Sequence, residues 1–176
     1  MGAGLILIGA ALSVIAFGNN GAAGGTTSAQ AASVVPAPVK FPAPALSLPN
    51  TSGEMETLEE YRGQVVLVNN WSIWCPPCKA EMPTLQAYYE AHALQGLTVI
   101  GIEAGEPADE VTQFANSLGL TFPVWVDTET ASLTAFRNSG LPNSYVIDRS
   151  GTVRLAWIGE ISRPMLEKHV TPLLAE

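Results

Sequence analysis

A pair of cysteines stands where a predicted buried strand passes into a predicted helix, and this junction constrains the fold more than any other feature. The motif reads Trp74-Cys75-Pro76-Pro77-Cys78-Lys79. Before it lies the apolar, β-branched run Gln64–Asn70, and after it apolar residues recur at three- and four-residue spacing as far as Leu94. A strand that is apolar on both faces belongs inside a sheet covered by helices. The junction therefore predicts an α/β fold.

The spacing of the two cysteines favours redox chemistry. A thiolate on Cys75 would face the unpaired N–H groups and the positive dipole of a helix N-terminus, which lower the pKa of a thiol. Cys78, in the first helical turn, can close a small disulfide ring with it, so the pair can cycle between dithiol and disulfide. We expect Cys75, the residue nearer the surface, to attack substrates and Cys78 to resolve the mixed disulfide. Pro76 and Pro77 stiffen the ring and supply no N–H groups.

Two other roles for the cysteines are weaker. A four-ligand zinc site would need partners, and the two histidines, His92 and His169, lie far from the pair in sequence. A static disulfide across so short a loop removes little chain entropy and would stabilise the fold little. Redox catalysis is therefore the stronger prediction.

The rest of the globular part alternates strands and helices and then changes to a hairpin. The predicted elements are a helix from Cys75 to about Leu94, a strand at Thr98–Glu103, a helix at Pro107–Leu118, a strand at Phe122–Val126, a short helix at Thr130–Phe136, strands at Ser144–Asp148 and Thr152–Trp157, and a helix from Ser162 to about Leu174. The β–α–β part implies parallel strands, and the terminal hairpin makes the sheet mixed.

The N-terminal end has a different composition from the rest of the chain. No Lys, Arg, Asp or Glu precedes Lys40. Residues 1–18 are apolar, which favours a membrane anchor over a cleaved secretory signal. Residues 19–40 are rich in Gly, Ala, Ser, Thr and Pro, which predicts a flexible linker. The domain is predicted to span residues 41–176. The net charge of −8, with 8 Lys and Arg, argues against nucleic-acid binding.

A second motif lies far along the chain, immediately before a predicted strand. It reads Gly140-Leu141-Pro142-Asn143-Ser144-Tyr145. Alone, Pro142 is an ordinary loop proline. Combined with the cysteine pair, it is a candidate cis-proline that faces the sulfurs and leaves the Leu141 backbone free to pair with an extended substrate.

These motifs together resemble the thioredoxin superfamily, and within it the membrane-anchored TlpA/ResA-like thiol-disulfide oxidoreductases of the bacterial cell envelope. The resemblance covers about Phe41 to the C-terminus. It rests on the segments LEEYRGQVVLVNNWSIWCPPCKAEMP, VIGIEAGEPADEVTQFANSLGLTFPVWVD and SGLPNSYVIDRSGTVRLAWIGE. It implies a thioredoxin-like α/β fold, with a central mixed β-sheet flanked by helices and an extra αβ insertion.

The resemblance also implies roles for single residues. Cys75 matches the family's nucleophile, Cys78 its resolving thiol and Pro142 its cis-proline. Glu81 matches a carboxylate that lies beside the cysteines and helps proton transfer; the alternative is a solvated helix glutamate. The residues predicted to contact substrate are Trp74, Pro76, Pro77 and Leu141.

The sequence departs from the family's pattern at a few positions near the motifs. Asn69 stands where thioredoxin itself has a buried acid, so Glu81 or water must take over the deprotonation of Cys78. Asn70 stands where the family usually has an aromatic residue, and Asn143-Ser144 where a threonine pair is common.

The implied function is that of an extracytoplasmic thiol-disulfide oxidoreductase that reduces client cysteines in cytochrome c or oxidase maturation. The expected partners are protein thiols and disulfides, such as apocytochrome c or copper-site proteins, and a membrane thiol donor. The expected location is the cell envelope, with the domain outside the cytoplasm and the membrane bound through the N-terminus. No cofactor is expected beyond the Cys75–Cys78 disulfide. The alternatives are a disulfide-forming oxidase, a thiol peroxidase and a non-catalytic copper-binding module on the same fold.

Overall fold

The structure, a computed structural model, describes Met1 and residues 34–176. The predicted anchor, apart from Met1, and the predicted linker as far as residue 33 lie outside the described residues. Within the described part, no helix has the length and apolar character needed to cross a membrane.

Strands and helices alternate through the middle of the described chain, as the hydrophobic pattern predicts. The strands are β1 (Ala37–Pro42), β2 (Ser47–Pro49), β3 (Met55–Thr57), β4 (Val65–Trp71), β5 (Leu97–Ala104), β6 (Val124–Asp127), β7 (Asn143–Ile147) and β8 (Thr152–Ile158). The helices are α1 (Pro76–His92), α2 (Ala108–Ser117), α3 (Ala131–Ala135) and α4 (Arg163–His169). Short 3₁₀ turns lie at Leu58–Tyr61, Ala93–Gln95 and Thr171–Ala175.

The main sheet is mixed, as predicted, with strand order β1-β8-β7-β4-β5-β6. β4, β5 and β6 run parallel to one another, whereas β7 is antiparallel to β4, and β8 is antiparallel to both β7 and β1. Because β4 and β7 are antiparallel, the end of β4 and the start of β7 lie at the same edge of the sheet. The two motifs found in the sequence are attached to these two strand ends.

The sheet is covered on both faces, which explains the apolar runs in its central strands. All residues of β4 and of β5 are buried. Alternate side chains of β4 point to opposite faces, with Leu67 in one core and Val68 in the other. The first core contains side chains of α1, α2 and α4, whereas the second contains residues of β2 and the Phe136 ring after α3. The cysteine motif therefore follows a strand, β4, that packs against a hydrophobic core on each face.

The N-terminal boundary of the folded part differs from the prediction. Residues 37–40, assigned to the flexible linker, belong to β1, where Ala37 pairs with Ala156 and Pro38 with Leu155 of β8. The Val34 N–H also donates to the Glu160 carbonyl, at 3.2 Å. A proline-rich strand is tolerated here because β1 is at the edge of the sheet, where a missing N–H can face away from the ladder.

Candidate active site

The cysteine pair lies at the junction that the sequence predicts. Cys75 is the N-cap residue of α1, and Pro76 and Pro77 occupy the first two helical positions. Both prolines suit the first turn because its N–H groups have no partner within the helix. Cys75 and Cys78 form a disulfide, with their Cα atoms 5.3 Å apart. The predicted redox pair is therefore present in its oxidised form.

Both cysteines are buried in the oxidised protein, and Cys75, expected nearer the surface, is only slightly more exposed than Cys78. The exposed fraction is 3% for Cys75 and 0% for Cys78, and both sulfurs belong to the first hydrophobic core. The chain turns tightly before the pair, since the Cys75 N–H donates to the Ser72 carbonyl at 3.1 Å. Trp74, in contrast, is 64% exposed.

The Leu141–Pro142 peptide bond is cis, which confirms the geometry predicted for Pro142. Asn143, the next residue, pairs with Asn70 on β4, so Pro142 lies beside the strand end that leads to Cys75. The Pro142 carbonyl accepts the Gly159 N–H at 2.7 Å, whereas the Leu141 backbone makes no hydrogen bond with the described residues. A strand of a client could therefore pair with Leu141.

Glu81 is a buried residue of the site, and its alternative interpretation as a solvated glutamate is wrong. Its exposed fraction is 0%. Its Oε1 accepts a hydrogen bond from Asn69 Nδ2 at 2.8 Å, and its Oε2 accepts the Ile161 N–H at 3.2 Å. Burial raises the pKa of Glu81 to about 8, against the opposing effect of these two hydrogen bonds. Three residues after Cys78 on α1, Glu81 is placed on the helix face next to that cysteine.

Asn69 connects Glu81 to the strand that follows the cis-proline. Its Nδ2 also donates to Ser144 Oγ of β7, at 2.9 Å. The sequence places Asn69 at the position of a buried acid but gives no sign of this bond, because its partners are 12 and 75 residues away. The buried carboxyl group of the site thus belongs to Glu81 on α1, and β4 contributes the Asn69 amide that donates a hydrogen bond to it.

Glu103 is a second buried carboxylate that the sequence analysis missed. It lies near the end of β5, and its Oε1 accepts hydrogen bonds from Ser72 Oγ at 2.9 Å and from the Ile73 N–H at 3.3 Å. Its Oε2 accepts the Glu106 N–H at 2.9 Å. Burial raises the pKa of this carboxyl. The available signal was an acid at the end of a buried parallel strand, next to the strand that carries the cysteines.

The residues predicted to contact substrate differ in exposure. Trp74, Pro76 and Pro77 are exposed, and Leu141 is half-buried against the core that contains the cysteines. Ile158 of β8, which the sequence analysis did not single out, is 54% exposed and adjoins Gly140. These side chains add apolar surface beside the cysteine motif and beside the cis-proline loop.

Other groups of the described chain lie away from this chemistry. Within residues 34–176, no cluster of His, Cys, Asp and Glu side chains is arranged to hold a metal ion. His92 is buried and its Nε2 contacts Glu167 at 3.2 Å. A cavity of about 420 Å³ opens on the other face of the sheet, where Leu58 and Val66 line it, and no predicted site residue borders it.

Comparisons with known proteins identify the family of the chain. The sequence profile described as the AhpC/TSA family matches residues 39–156. The protein named thiol-disulfide oxidoreductase ResA from Geobacillus kaustophilus is 34% identical over 128 residues, which cover 73% of this chain and 74% of that protein. The ResA protein of Geobacillus thermodenitrificans has the same identity and coverage.

A solved structure shows the same fold. The thiol:disulfide interchange protein of the thioredoxin family from Chlorobium tepidum has a TM-score of 0.70 and 29% sequence identity. The match covers 77% of this chain and 97% of that one.

Proposed function

The chain belongs to the AhpC/TSA family and is a ResA-like thiol-disulfide oxidoreductase of thioredoxin-like fold, and on this premise we propose that it reduces disulfides of protein clients outside the cytoplasm. One arrangement carries the proposal. The Cys75–Cys78 disulfide, cis-Pro142 and the buried Glu81 are attached to adjacent strands at one edge of the sheet.

The reaction transfers two electrons to the client. In the reduced protein, the Cys75 thiolate attacks one sulfur of the client disulfide, an S–S bond forms between Cys75 and the client, and the other client sulfur leaves and takes up a proton. The Cys78 thiolate then attacks the Cys75 sulfur, which releases the second client sulfur as a thiolate that is protonated in turn. The protein is left as the disulfide, and a dithiol donor at the membrane restores it.

The start of α1 supports the reducing direction. A side chain at the N-cap can accept hydrogen bonds from the N–H groups of the second and third helical residues. Here the second residue is Pro77, which has no N–H, so Cys78 alone remains as a donor. The burial of Cys75 also disfavours a charged thiolate. Both effects favour the disulfide over the dithiol and therefore lower the reduction potential.

Glu81 has the properties of a proton donor and acceptor in this cycle. Because its pKa is raised to about 8, its carboxyl group keeps its proton at neutral pH in the oxidised protein. Proton transfer is most effective when the pKa of the group lies near the working pH. We assign to Glu81 the exchange of a proton with Cys78, the nearer cysteine along α1, when the ring opens and closes.

The proposed clients and location rest on the sequence and its resemblance. The resemblance to the TlpA/ResA-like group supports apocytochrome c cysteines, or the copper-site cysteines of an oxidase, as the disulfides to be reduced. The charge-free apolar segment at 1–18 supports a membrane anchor, and the resemblance to that group supports a position of the domain on the outer side.

The reduction potential of the Cys75–Cys78 couple tests the proposal. We expect about −270 mV or lower, the range of thioredoxin, from equilibration with glutathione or dithiothreitol. A value near the ~−120 mV of a strong oxidant would contradict the reducing direction and assign the protein to disulfide formation. Rapid consumption of peroxide by the reduced protein would instead identify a thiol peroxidase, and stoichiometric copper retained on dialysis a copper-binding module.

A further inference from the structure

Two of the residues at which the sequence departs from its family's pattern are hydrogen-bonded to each other. Asn70 of β4 and Asn143 of β7 are opposite each other in the ladder, and both are completely buried. Asn70 Nδ2 donates to Asn143 Oδ1 at 2.8 Å, and Asn143 Nδ2 donates to the Gly140 carbonyl at 2.6 Å. A single chain of hydrogen bonds therefore leads from the strand of the cysteines to the cis-proline loop.

The direction of this chain of bonds is fixed by its end. The Gly140 carbonyl can only accept, so the amide nitrogen of Asn143 must point toward it and the amide oxygen must point toward Asn70. Asn70 must then present its nitrogen. Each amide has one orientation that satisfies this chain, which makes the pair a rigid connection rather than two adaptable polar groups.

The other hydrogen bonds of the cis-proline loop engage the residues on either side of Leu141 but not the Leu141 backbone. The Gly140 N–H donates to Asn138 Oδ1 at 3.1 Å, and the Pro142 carbonyl accepts the Gly159 N–H at 2.7 Å. Gly140 is thus held at both its N–H and its carbonyl, and the residue after Leu141 is held as well. Leu141 lies between these fixed groups with a backbone that bonds to none of the described residues.

We propose that Asn70 and Asn143 are positioning residues, which fix the Gly140 carbonyl and thereby present the Leu141 backbone in the orientation that an extended client strand requires. This inference rests on the proposed function, in that the client is a polypeptide disulfide. It adds a specific role, because the pair would act on peptide clients and not on the sulfur chemistry. Small disulfides that cannot pair with a backbone should not depend on it.

Leucine variants separate this role from a purely structural one. Asn70→Leu leaves the Asn143–Gly140 bond in place, whereas Asn143→Leu leaves both the Gly140 carbonyl and the Asn70 amide without partners. The double variant Asn70→Leu/Asn143→Leu removes both amides, so no amide is left buried without a partner and stability should partly recover relative to Asn143→Leu. The Gly140 carbonyl is still free in the double variant, so client recognition should not recover.

Two substrates give the readout for the full chain, with dithiothreitol as the source of electrons. One is a synthetic peptide with an internal disulfide, and the other is bis(hydroxyethyl) disulfide. For Asn143→Leu and the double variant, kcat/KM for the peptide should fall about three- to tenfold, mainly through KM, with the small disulfide unaffected. The matched control is Ser132→Ala, which removes a buried hydrogen bond to Asp127 away from the cis-proline loop. It should leave kcat/KM unchanged for both substrates.

A measurement on the oxidised protein keeps the test independent of activity. The ¹⁵N order parameter of Leu141 should be about 0.85 in the wild type and fall toward ~0.6 in Asn143→Leu and in the double variant, but not in Ser132→Ala. Unchanged order, or recovery of peptide turnover together with stability in the double variant, would overturn the inference. Failure of the wild type to reduce the peptide would instead contradict the proposed function, and the order parameter would still decide on the positioning role.

Discussion

Glu81 is buried beside a neutral amide rather than a cation, and this environment determines whether its carboxyl group is charged. An Arg or Lys partner would favour the carboxylate and lower its pKa, whereas the amide of Asn69 and the N–H of Ile161 compensate only part of the desolvation. Glu160 nearby raises the pKa further. The buried acid is therefore neutral near pH 7 in the oxidised protein, at a cost to stability whenever the unfolded chain can ionise it.

That cost predicts how stability depends on pH. Below pH 4.5 Glu81 is protonated in both states and contributes nothing; between 4.5 and about 8 the unfolded chain loses the proton and the folded chain keeps it. The free energy of unfolding should therefore fall by up to ~1.4 kcal/mol per pH unit across this window and level off above it. Glu81→Gln should remove this slope, as measured by urea unfolding of the oxidised protein.

A matched variant isolates the contribution of Glu81. Glu110→Gln removes an exposed carboxylate on α2 and should keep the wild-type pH dependence. If Glu81→Gln and the wild type lose stability in parallel between pH 5 and pH 8, Glu81 is ionised in the folded protein and its assignment as a proton donor is wrong.

The two thiols should separate in a trapping experiment. Cys78→Ala leaves Cys75 without its resolving partner, so a mixed disulfide with a client should persist on a non-reducing gel. Cys75→Ala should trap little, because Cys78 is completely buried. Efficient trapping by Cys75→Ala and none by Cys78→Ala would reverse the two roles.

Sequence reasoning located the chemistry of the site but not its buried hydrogen bonds. The cysteine pair and Pro142 follow from local motifs, since a strand–helix junction and a proline before a strand are visible in short windows. The contacts of Glu81 with Asn69 and of Asn70 with Asn143 join residues 12 and 73 positions apart. The first contact depends on how α1 packs on β4 and the second on the register of β7 against β4, and no local pattern reports either.

Among the strands of the main sheet, β4 to β8 were predictable from the sequence and β1 was not. β4 and β5 are buried throughout, so their apolar runs are unambiguous. β1 is exposed along most of its length and carries Pro38 and Pro42, so its sequence is typical of an extended linker. The final predicted helix is also divided, with α4 ending at His169 and a 3₁₀ turn following at Thr171–Ala175.

The turn between β7 and β8 contains a side chain that binds several elements together. Arg149 Nη1 donates to the Gly63 carbonyl at 2.7 Å, and its Nη2 donates to the Leu174 carbonyl at 3.0 Å and to the Gln95 carbonyl at 3.2 Å. The Gly63 carbonyl precedes β4, the Gln95 carbonyl precedes β5, and the Leu174 carbonyl lies in the last 3₁₀ turn. They lie at the ends of the strands opposite to those near the cysteines, because β4 runs from Gly63 toward Cys75.

Arg149→Leu should therefore destabilise the fold without changing its redox chemistry. Loss of charge-assisted hydrogen bonds at a partly exposed site should lower the free energy of unfolding by about 1–3 kcal/mol. The reduction potential of the Cys75–Cys78 couple should stay within experimental error of the wild type. Arg62→Leu, which removes an exposed guanidinium paired with Glu59, is the control and should cost less. A shifted potential in Arg149→Leu would show that the two sheet edges are coupled.

At the scale of the whole molecule, the edge strand next to β8 is β1, and the first four of its residues, 37–40, were assigned to the linker. β1 pairs with β8, and the Val34 N–H donates to the carbonyl of Glu160, the second residue after β8. Glu160 lies close enough to Glu81 to raise the pKa of Glu81. The edge strand thus supports the segment from which Ile161 donates to Glu81. The folded unit consequently includes residues before position 41.

Two truncated chains test this boundary. A chain that begins at Val34 keeps β1 and should unfold cooperatively with urea, whereas one that begins at Phe41 loses the pairing of Ala37 and Pro38 with β8. We expect the shorter chain to fold but to be less stable by about 1–3 kcal/mol, since each backbone hydrogen bond contributes about 1 kcal/mol. Both should reduce a small disulfide at the same rate, because both cysteines lie at the start of α1, which follows the central strand β4. Equal urea midpoints would place the boundary at residue 41 after all, and a non-cooperative transition for the Val34 chain would mean that residues before position 34 are needed for folding.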